Sequence, residues 1–219
     1  MAYDLEEQEQ LATLKAIWKQ YGNLITWILI IALSAYAAWT QWSNYQSNQS
    51  GQASQLYEEM QKSVAAKDDA KVQRAANDLK EKFASTSYAS MAAMVAAKSA
   101  FDANDLTSAK SQLQWVVDKS KNDDYKAIAR IRLAGIALDE KNYELAMTQL
   151  SGEFPVDLQA EVFDRKGDVL VAQAKIDDAR KAYQAALEKM TDKNSARQLV
   201  QIKLDAIGGS AADAVVVNK

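Results

Sequence analysis

The sequence has no cysteine, no histidine and a single proline, Pro155, in 219 residues. Without thiols there is no disulfide framework, no cysteine nucleophile and no soft metal ligand, which leaves the compartment open, since exported proteins without disulfides are common. Without imidazole the commonest general base and metal ligand are also missing. Serine and threonine are scattered with no G-x-S-x-G elbow or credible S-x-x-K site, and no glycine-rich loop is shaped to cradle phosphate. These absences argue against an enzyme, a bound metal or a cofactor; carboxylate or lysine chemistry would need a cleft that shifts their pKa values. A one-signed charge is missing too: 26 basic and 29 acidic residues are interspersed for a net −3, so no basic stripe invites nucleic acid. With so few prolines and only seven glycines against abundant Ala, Leu, Lys, Gln and Glu, the composition favours helix and predicts an all-α protein.

Charge of either sign vanishes between Lys19 and Glu58, and residues 24–39 within that stretch are almost wholly apolar. A helix needs about 20 such residues to cross the hydrocarbon core. Residues 21–42 supply them, with Tyr21 on one side and Trp39 and Trp42 on the other as membrane-interface anchors. No proline interrupts the segment, so its backbone groups pair within the helix. A buried core helix is usually shorter. A cleaved signal could use Ala35-Tyr36-Ala37 as a processing site, but the acidic start (Asp4, Glu6, Glu7, Glu9) and the aromatics through Trp42 favour an uncleaved anchor. Lys15 and Lys19 precede the span closely, whereas the first cation after it is Lys62. The positive-inside rule therefore puts residues 1–20 in the cytoplasm and everything after the span outside.

Ahead of the span, Leu11, Leu14, Trp18 and Tyr21 recur with helical spacing, and Asp4 with Glu7 has the spacing of a capping box. After it, residues 43–54 (SNYQSNQSGQAS) are polar and read as a linker, with Gly51 a candidate break. Residues 55–207 are of single-domain size and follow as helical segments separated by short turns at Lys67-Asp68-Asp69, Asp102 to Asp105, Lys121 to Asp123 and Lys141-Asn142. Asp and Asn in such turns cap the next helix. The pairs Asp68/Asp69, Asp123/Asp124 and Asp177/Asp178 are read as caps, not cation ligands, because none shows an oxygen-ligand loop. Residues 208–219 (GGSAADAVVVNK) are expected to form a flexible tail.

Aligned as pairs, the helices are self-similar. Ala97 and Ala109, Ala134 and Ala146, and Gly167 and Ala179 each place two small residues twelve positions apart, and a large residue follows four places after the second: Leu113, Leu150 and Tyr183. This is the close-packing signature of tetratricopeptide-like repeats, two antiparallel helices in about 34 residues. Residues 56–83 read as a degenerate earlier pair with Ala75 or Ala76 at the close-packing position, and residues 194–207 as a capping helix. An α-solenoid of three to four pairs behind a transmembrane helix is the predicted architecture; an ordinary Ala-rich bundle is the alternative.

The order of parts resembles the YfgM family of bacterial inner-membrane proteins: LKAIWKQYG before the span, the Trp-rich exit WTQWSNYQ, then YASMAAMVAAKSAFDANDLTSAKSQLQWVV and YKAIARIRLAGIALDEKNYELAM. The likeness runs from about Glu6 to Ile207. It implies an accessory subunit of the Sec translocon (SecYEG) in the cell inner membrane, with a periplasmic domain that scaffolds a PpiD-type membrane-anchored isomerase and chaperone and assists exported client proteins, with the lipid bilayer as its other partner. A client-holding periplasmic chaperone, or an envelope-organising scaffold independent of the translocon, would share the architecture.

In stacked pairs the first helices line a concave face that holds partner segments. Counting from the small residue, that face is Met91, Met94, Lys98 and Phe101, then Ile128, Ile131 and Leu138, then Glu161, Asp164, Asp168 and Val171. It would be apolar at one end and acidic at the other, with methionines suited to adaptable recognition. The competing reading makes the apolar members plain core, covered by residues 56–83, since an apolar stripe marks burial first.

Overall fold

The computed structural model describes residues 3–191 and 193–208. The expected tail beyond Gly208 and the Asp4 side chain of the capping box lie outside what it describes. Among the described residues every regular element is helical: α1 (Tyr3–Ala65), α2 (Asp69–Lys82), α3 (Ser87–Asp102), α4 (Leu106–Lys119), α5 (Asp123–Asp139), α6 (Tyr143–Gln149), a 3-10 turn at Val156–Leu158, α7 (Gln159–Ala172), α8 (Ile176–Lys189) and α9 (Arg197–Ala206). The chain divides into two compact units, Met1–Gly51 and Gln52–Lys219.

The first unit carries one helix long and apolar enough to cross a membrane. Its large side chains, among them Leu24, Trp27, Ile28, Ile31, Leu33 and Tyr36, are exposed, as are Tyr21, Trp39 and Trp42. A core helix would bury them; an anchor leaves them for lipid. The polar residues expected to form a linker are helical instead, and Gly51 does not interrupt α1. The reason is local. Gln and Ala are good helix formers, the Gln49 amide donates to the Tyr45 hydroxyl one turn back at 3.3 Å, and a lone glycine costs only about 1 kcal/mol inside a helix.

In the second unit, apolar clusters follow one another along the chain. The end of α1 (Ala53, Met60) packs with α2 and α3 through Val72, Ala76, Leu79, Ala92 and Ala96. Next, α3, α4 and α5 share Ala93, Ala97, Ala109, Leu113, Val116 and Leu133. Then α5, α6 and α7 share Ala134, Ala137, Ala146, Leu150, Val162 and Val169. Finally α7, α8 and α9 share Ala160, Tyr183, Ala186, Leu187, Val200 and Leu204. Each cluster joins only consecutive helices, which is the nearest-neighbour construction of a solenoid.

The repeat is written most clearly in its turns. Lys67, Asn104, Lys141 and Ala174 all have positive φ (55°, 61°, 60° and 59°). The N–H after each of them reaches five residues back, Asp68 to Ser63, Asp105 to Ala100, Asn142 to Ala137 and Lys175 to Leu170, at 2.8 to 3.0 Å. That is a Schellman closure of the first helix. The same residue then caps the second: the side chains of Asp68, Asp105 and Asn142 accept from the N–H three residues on, and only Lys175 lacks a side-chain cap. Asn122 caps α5 in the same way. Turn to turn, the first two intervals are 37 residues and the third is 33. The shortening falls where α6 stops after seven residues and Gly152 and Pro155 carry the chain into α7.

This register makes residues 52–82 a genuine first pair and moves its close-packing position. Met60 and Val72, not Ala75 or Ala76, stand where Ala97 and Ala109 stand one unit later, and both are fully buried. The larger side chains there are why the small-residue rule did not align this pair.

Candidate functional site: a trough across the first helices

Five of the six close-packing residues, Ala97, Ala109, Ala134, Ala146 and Ala179, are buried at 2% exposure or less; Gly167 is buried as well. At Gly167 the contact is with Tyr183: a Cβ there would stand 2.3 Å from Tyr183 Cε1. Between successive first helices lies open space.

That space is a trough in two parts that share lining residues. The larger, about 830 Å3, lies among the end of α1, α3 and α5, and is lined by Tyr57, Val64, Met91, Met94, Val95 and Tyr125, with Lys98, Asp102 and Arg132 at its edge. The smaller, about 350 Å3, lies among α3, α5 and α7 and includes Phe101, Arg132, Gly135, Asp139 and Arg165. Lys98, Asp102 and Arg132 border both parts. Burial raises the Tyr57 phenol above its ordinary pKa, and Tyr125 adds to the shift; the Tyr57 hydroxyl accepts from the Gln61 amide at 2.9 Å.

The residues singled out by counting divide. Met91, Met94, Lys98 and Phe101 line the trough, Phe101 with 44% of its surface exposed. Met94 also packs against the α3–α5 core, so it belongs to both readings. Ile131 and Leu138 pack against the α5–α7 core instead, and Ile128 is half-buried outside both parts. The helix α5 presents Tyr125, Arg132 and Gly135 to the trough, a phase shifted from the one inferred by analogy with α3. Tyr57 and Val64 were missed because their pair had not been put in register, although Ala66-Lys67-Asp68 and Ala103-Asn104-Asp105 align at the 37-residue spacing.

Of the expected acidic end, Asp164 and Asp168 are not free, whereas the Oε2 atom of Glu161 is buried without a hydrogen-bond partner among the described residues. The Lys203 ammonium from α9 lies 2.8 Å from Asp164 Oδ1 and 2.8 Å from Asp168 Oδ1. The Tyr183 hydroxyl donates to Asp168 at 2.8 Å, and Arg165 pairs with Asp168 at 3.3 Å. Burial raises the Asp164 pKa above the ordinary carboxylate value, with the Asp168 charge adding and Lys203 opposing. Burial and the Asp168 hydrogen bond push the Tyr183 phenol strongly upward. Val171 packs against the α7–α9 core. Asp164 and Asp168 are thus neutralised from within the chain. The described residues hold no group of three or more potential metal-ligating side chains.

Stacked helix pairs closed by one recurring turn, on a chain with one candidate membrane span, define a membrane-anchored tetratricopeptide-like solenoid. A family profile described as a tetratricopeptide repeat-like domain matches residues 15–209. The chain is 31% identical over 208 residues to a protein of Neisseria gonorrhoeae named ancillary SecYEG translocon subunit, covering 94% of this chain and 100% of that one. Proteins of the same name from Aggregatibacter actinomycetemcomitans and Haemophilus influenzae are 25% and 24% identical, each over 94% of this chain and 99% of its own length. The chain belongs to the YfgM family of ancillary SecYEG translocon subunits. That is a repeat family and not a known enzyme family.

Proposed function

We propose that this protein is a single-pass inner-membrane subunit working beside the Sec translocon, and that its repeat domain holds a periplasmic chaperone or isomerase of the PpiD type close to emerging exported proteins. The near full-length relationship to proteins named ancillary SecYEG translocon subunit carries this reading. Residues 1–20 stay in the cytoplasm, 21–42 span the bilayer and 55–207 act in the periplasm, because Lys15 and Lys19 flank the span on one side and Lys62 is the first cation on the other. The trough is the surface offered to partners: Met91 and Met94 repack around different shapes, and Tyr57 and Tyr125 give broad, stiff contact area.

Co-purification in mild detergent tests the assembly, with a photo-reactive residue at Met91 or Tyr125 reporting the surface. The expected result is recovery of the translocon and a crosslink from the trough to the chaperone. Recovery of neither partner overturns the assembly, and crosslinks only from the opposite face move the interface. The methionine and tyrosine lining also favours a second reading, direct holding of clients, which suppression of client aggregation by the protein in the absence of other chaperones would support.

A further inference from the structure

We propose that the segment bound in the trough is an apolar polypeptide stretch carrying an acidic side chain, and that Arg132 and Arg165 receive its carboxylate. The inference rests on the trough being the partner surface and adds the chemistry it selects.

The trough has two characters along its helices. Toward the start of α3 and α5 it is apolar, with Met91, Met94 and Tyr125; toward their ends it carries Lys98, Asp102, Arg132 and Asp139, with Arg165 contributed by α7. Their partners differ. Lys98 and Asp102 neutralise each other at 2.6 Å. Asp69, on the rim of the larger part, is hydrogen-bonded to Ser99. Arg132 makes no hydrogen bond or ion pair among the described residues, although it borders both parts of the trough. Arg165 gives one terminal nitrogen to Asp168 at 3.3 Å, and its Nε is buried with no acceptor.

Both arginines line the smaller part of the trough together with Gly135. The Arg165 guanidinium carbon would be 3.7 Å from a Cβ at position 135, and Arg132 lies on the same helix three residues earlier, within one turn. The missing side chain at Gly135 leaves space beside the Arg165 guanidinium. Arg132 is exposed to solvent on this wall, so its guanidinium is open to an arriving ligand. Asp139 shares this wall but makes no ion pair with either arginine among the described residues; Lys98 is matched by Asp102 and Arg165 shares Asp168, which leaves the Arg132 guanidinium with its donors unused. A planar guanidinium with free donors matches a carboxylate in a way that an amide or an ammonium group does not. The apolar part next to it fixes the rest of the ligand: Leu-, Met- or Phe-like side chains within a few residues of the acid.

The test uses the full chain in mild detergent and a displayed library of random twelve-residue segments. Clones that depend on the trough are those lost with Met94→Glu, or with Phe101→Ser as a second lesion at an exposed position. The expected result is that these clones carry Asp or Glu beside apolar residues. Their synthetic peptides should bind about tenfold more tightly than Glu→Gln or Asp→Asn counterparts, with the advantage shrinking as salt rises. The double variant Arg132→Gln/Arg165→Gln should bind both peptides equally and weakly. Trough-dependent clones without an acidic residue, or an acid preference that survives the double variant, overturn the carboxylate proposal and leave the trough intact as a surface. Absence of any trough-dependent clone overturns the trough itself and this inference with it.

Discussion

Replacing Gly167 with alanine should destabilise the repeat domain, although alanine is the better helix former by about 1 kcal/mol. The new Cβ would stand 2.3, 2.5 and 2.8 Å from Cε1, Cδ1 and Cζ of Tyr183, distances no carbon pair tolerates. The ring has little room to yield, being 3% exposed within the α7–α9 core and tied by its hydroxyl to Asp168 at 2.8 Å. Overpacking costs about 1 to 3 kcal/mol. If the ring swings aside, the hydrogen bond to a charged acceptor is lost as well, about 1.5 to 3 kcal/mol. Set against the propensity gain, the net loss with the ring displaced is about 1.5 to 5 kcal/mol, or about 3 to 20 °C in melting temperature for a domain of this size. Far-UV circular dichroism melting of the full chain in mild detergent measures it. The decisive control is the same change in a Tyr183→Ala background, where the clash is gone and Gly167→Ala should stabilise by up to about 1 kcal/mol. A neutral or stabilising effect in the wild-type background would refute the packing described here.

Other positions give independent readings. Ala174 is a non-glycine residue in the left-handed region, so Ala174→Gly should stabilise by about 1 kcal/mol in chemical denaturation. Lys175→Asp, supplying the cap that the three earlier turns have, should add about 1 kcal/mol. Ala179→Leu, at a fully buried crossing, should cost about 1 to 3 kcal/mol, and an unchanged melt would mean the crossing is not close. Lys203→Met strips the counter-charge from Asp164, whose pKa is already raised by burial, and should cost about 2 kcal/mol near neutrality, discounted because the pair is partly exposed. The sign with pH follows from the folded form of Asp164 binding its proton more tightly than the unfolded chain: the variant's deficit grows as pH rises from the ordinary carboxylate range through the raised pKa and narrows in acid. Met94→Glu should abolish chaperone capture with helicity retained if the trough surface of Met94 dominates. Loss of folding and capture together would assign Met94 to the core.

The sequence by itself determined the composition-level facts: a span without charge, helices without breakers, and small residues twelve apart that let paired helices touch. It also specified three of the caps, because Asp68, Asp105 and Asn142 act on N–H groups three residues away, whereas Asp123/Asp124 and Asp177/Asp178, read as caps, lie inside the first turns of helices capped by Asn122 or begun at the uncapped Lys175. Such features depend on neighbours in the chain, so they can be read from it. The tertiary structure decided what depends on rotation between helices. Small-residue spacing locates a crossing but does not fix how far each helix is turned about its axis, so α5 shows Tyr125 and Arg132 to the trough while Ile131 and Leu138 go to the core. Pairings across long separations were equally hidden: Lys203 reaches Asp164 and Asp168 only once α9 packs on the last pair. Whether an aspartate on a first helix faces solvent or a lysine more than thirty residues away is set by packing, because charge interactions act through space and a linear pattern records only the chain.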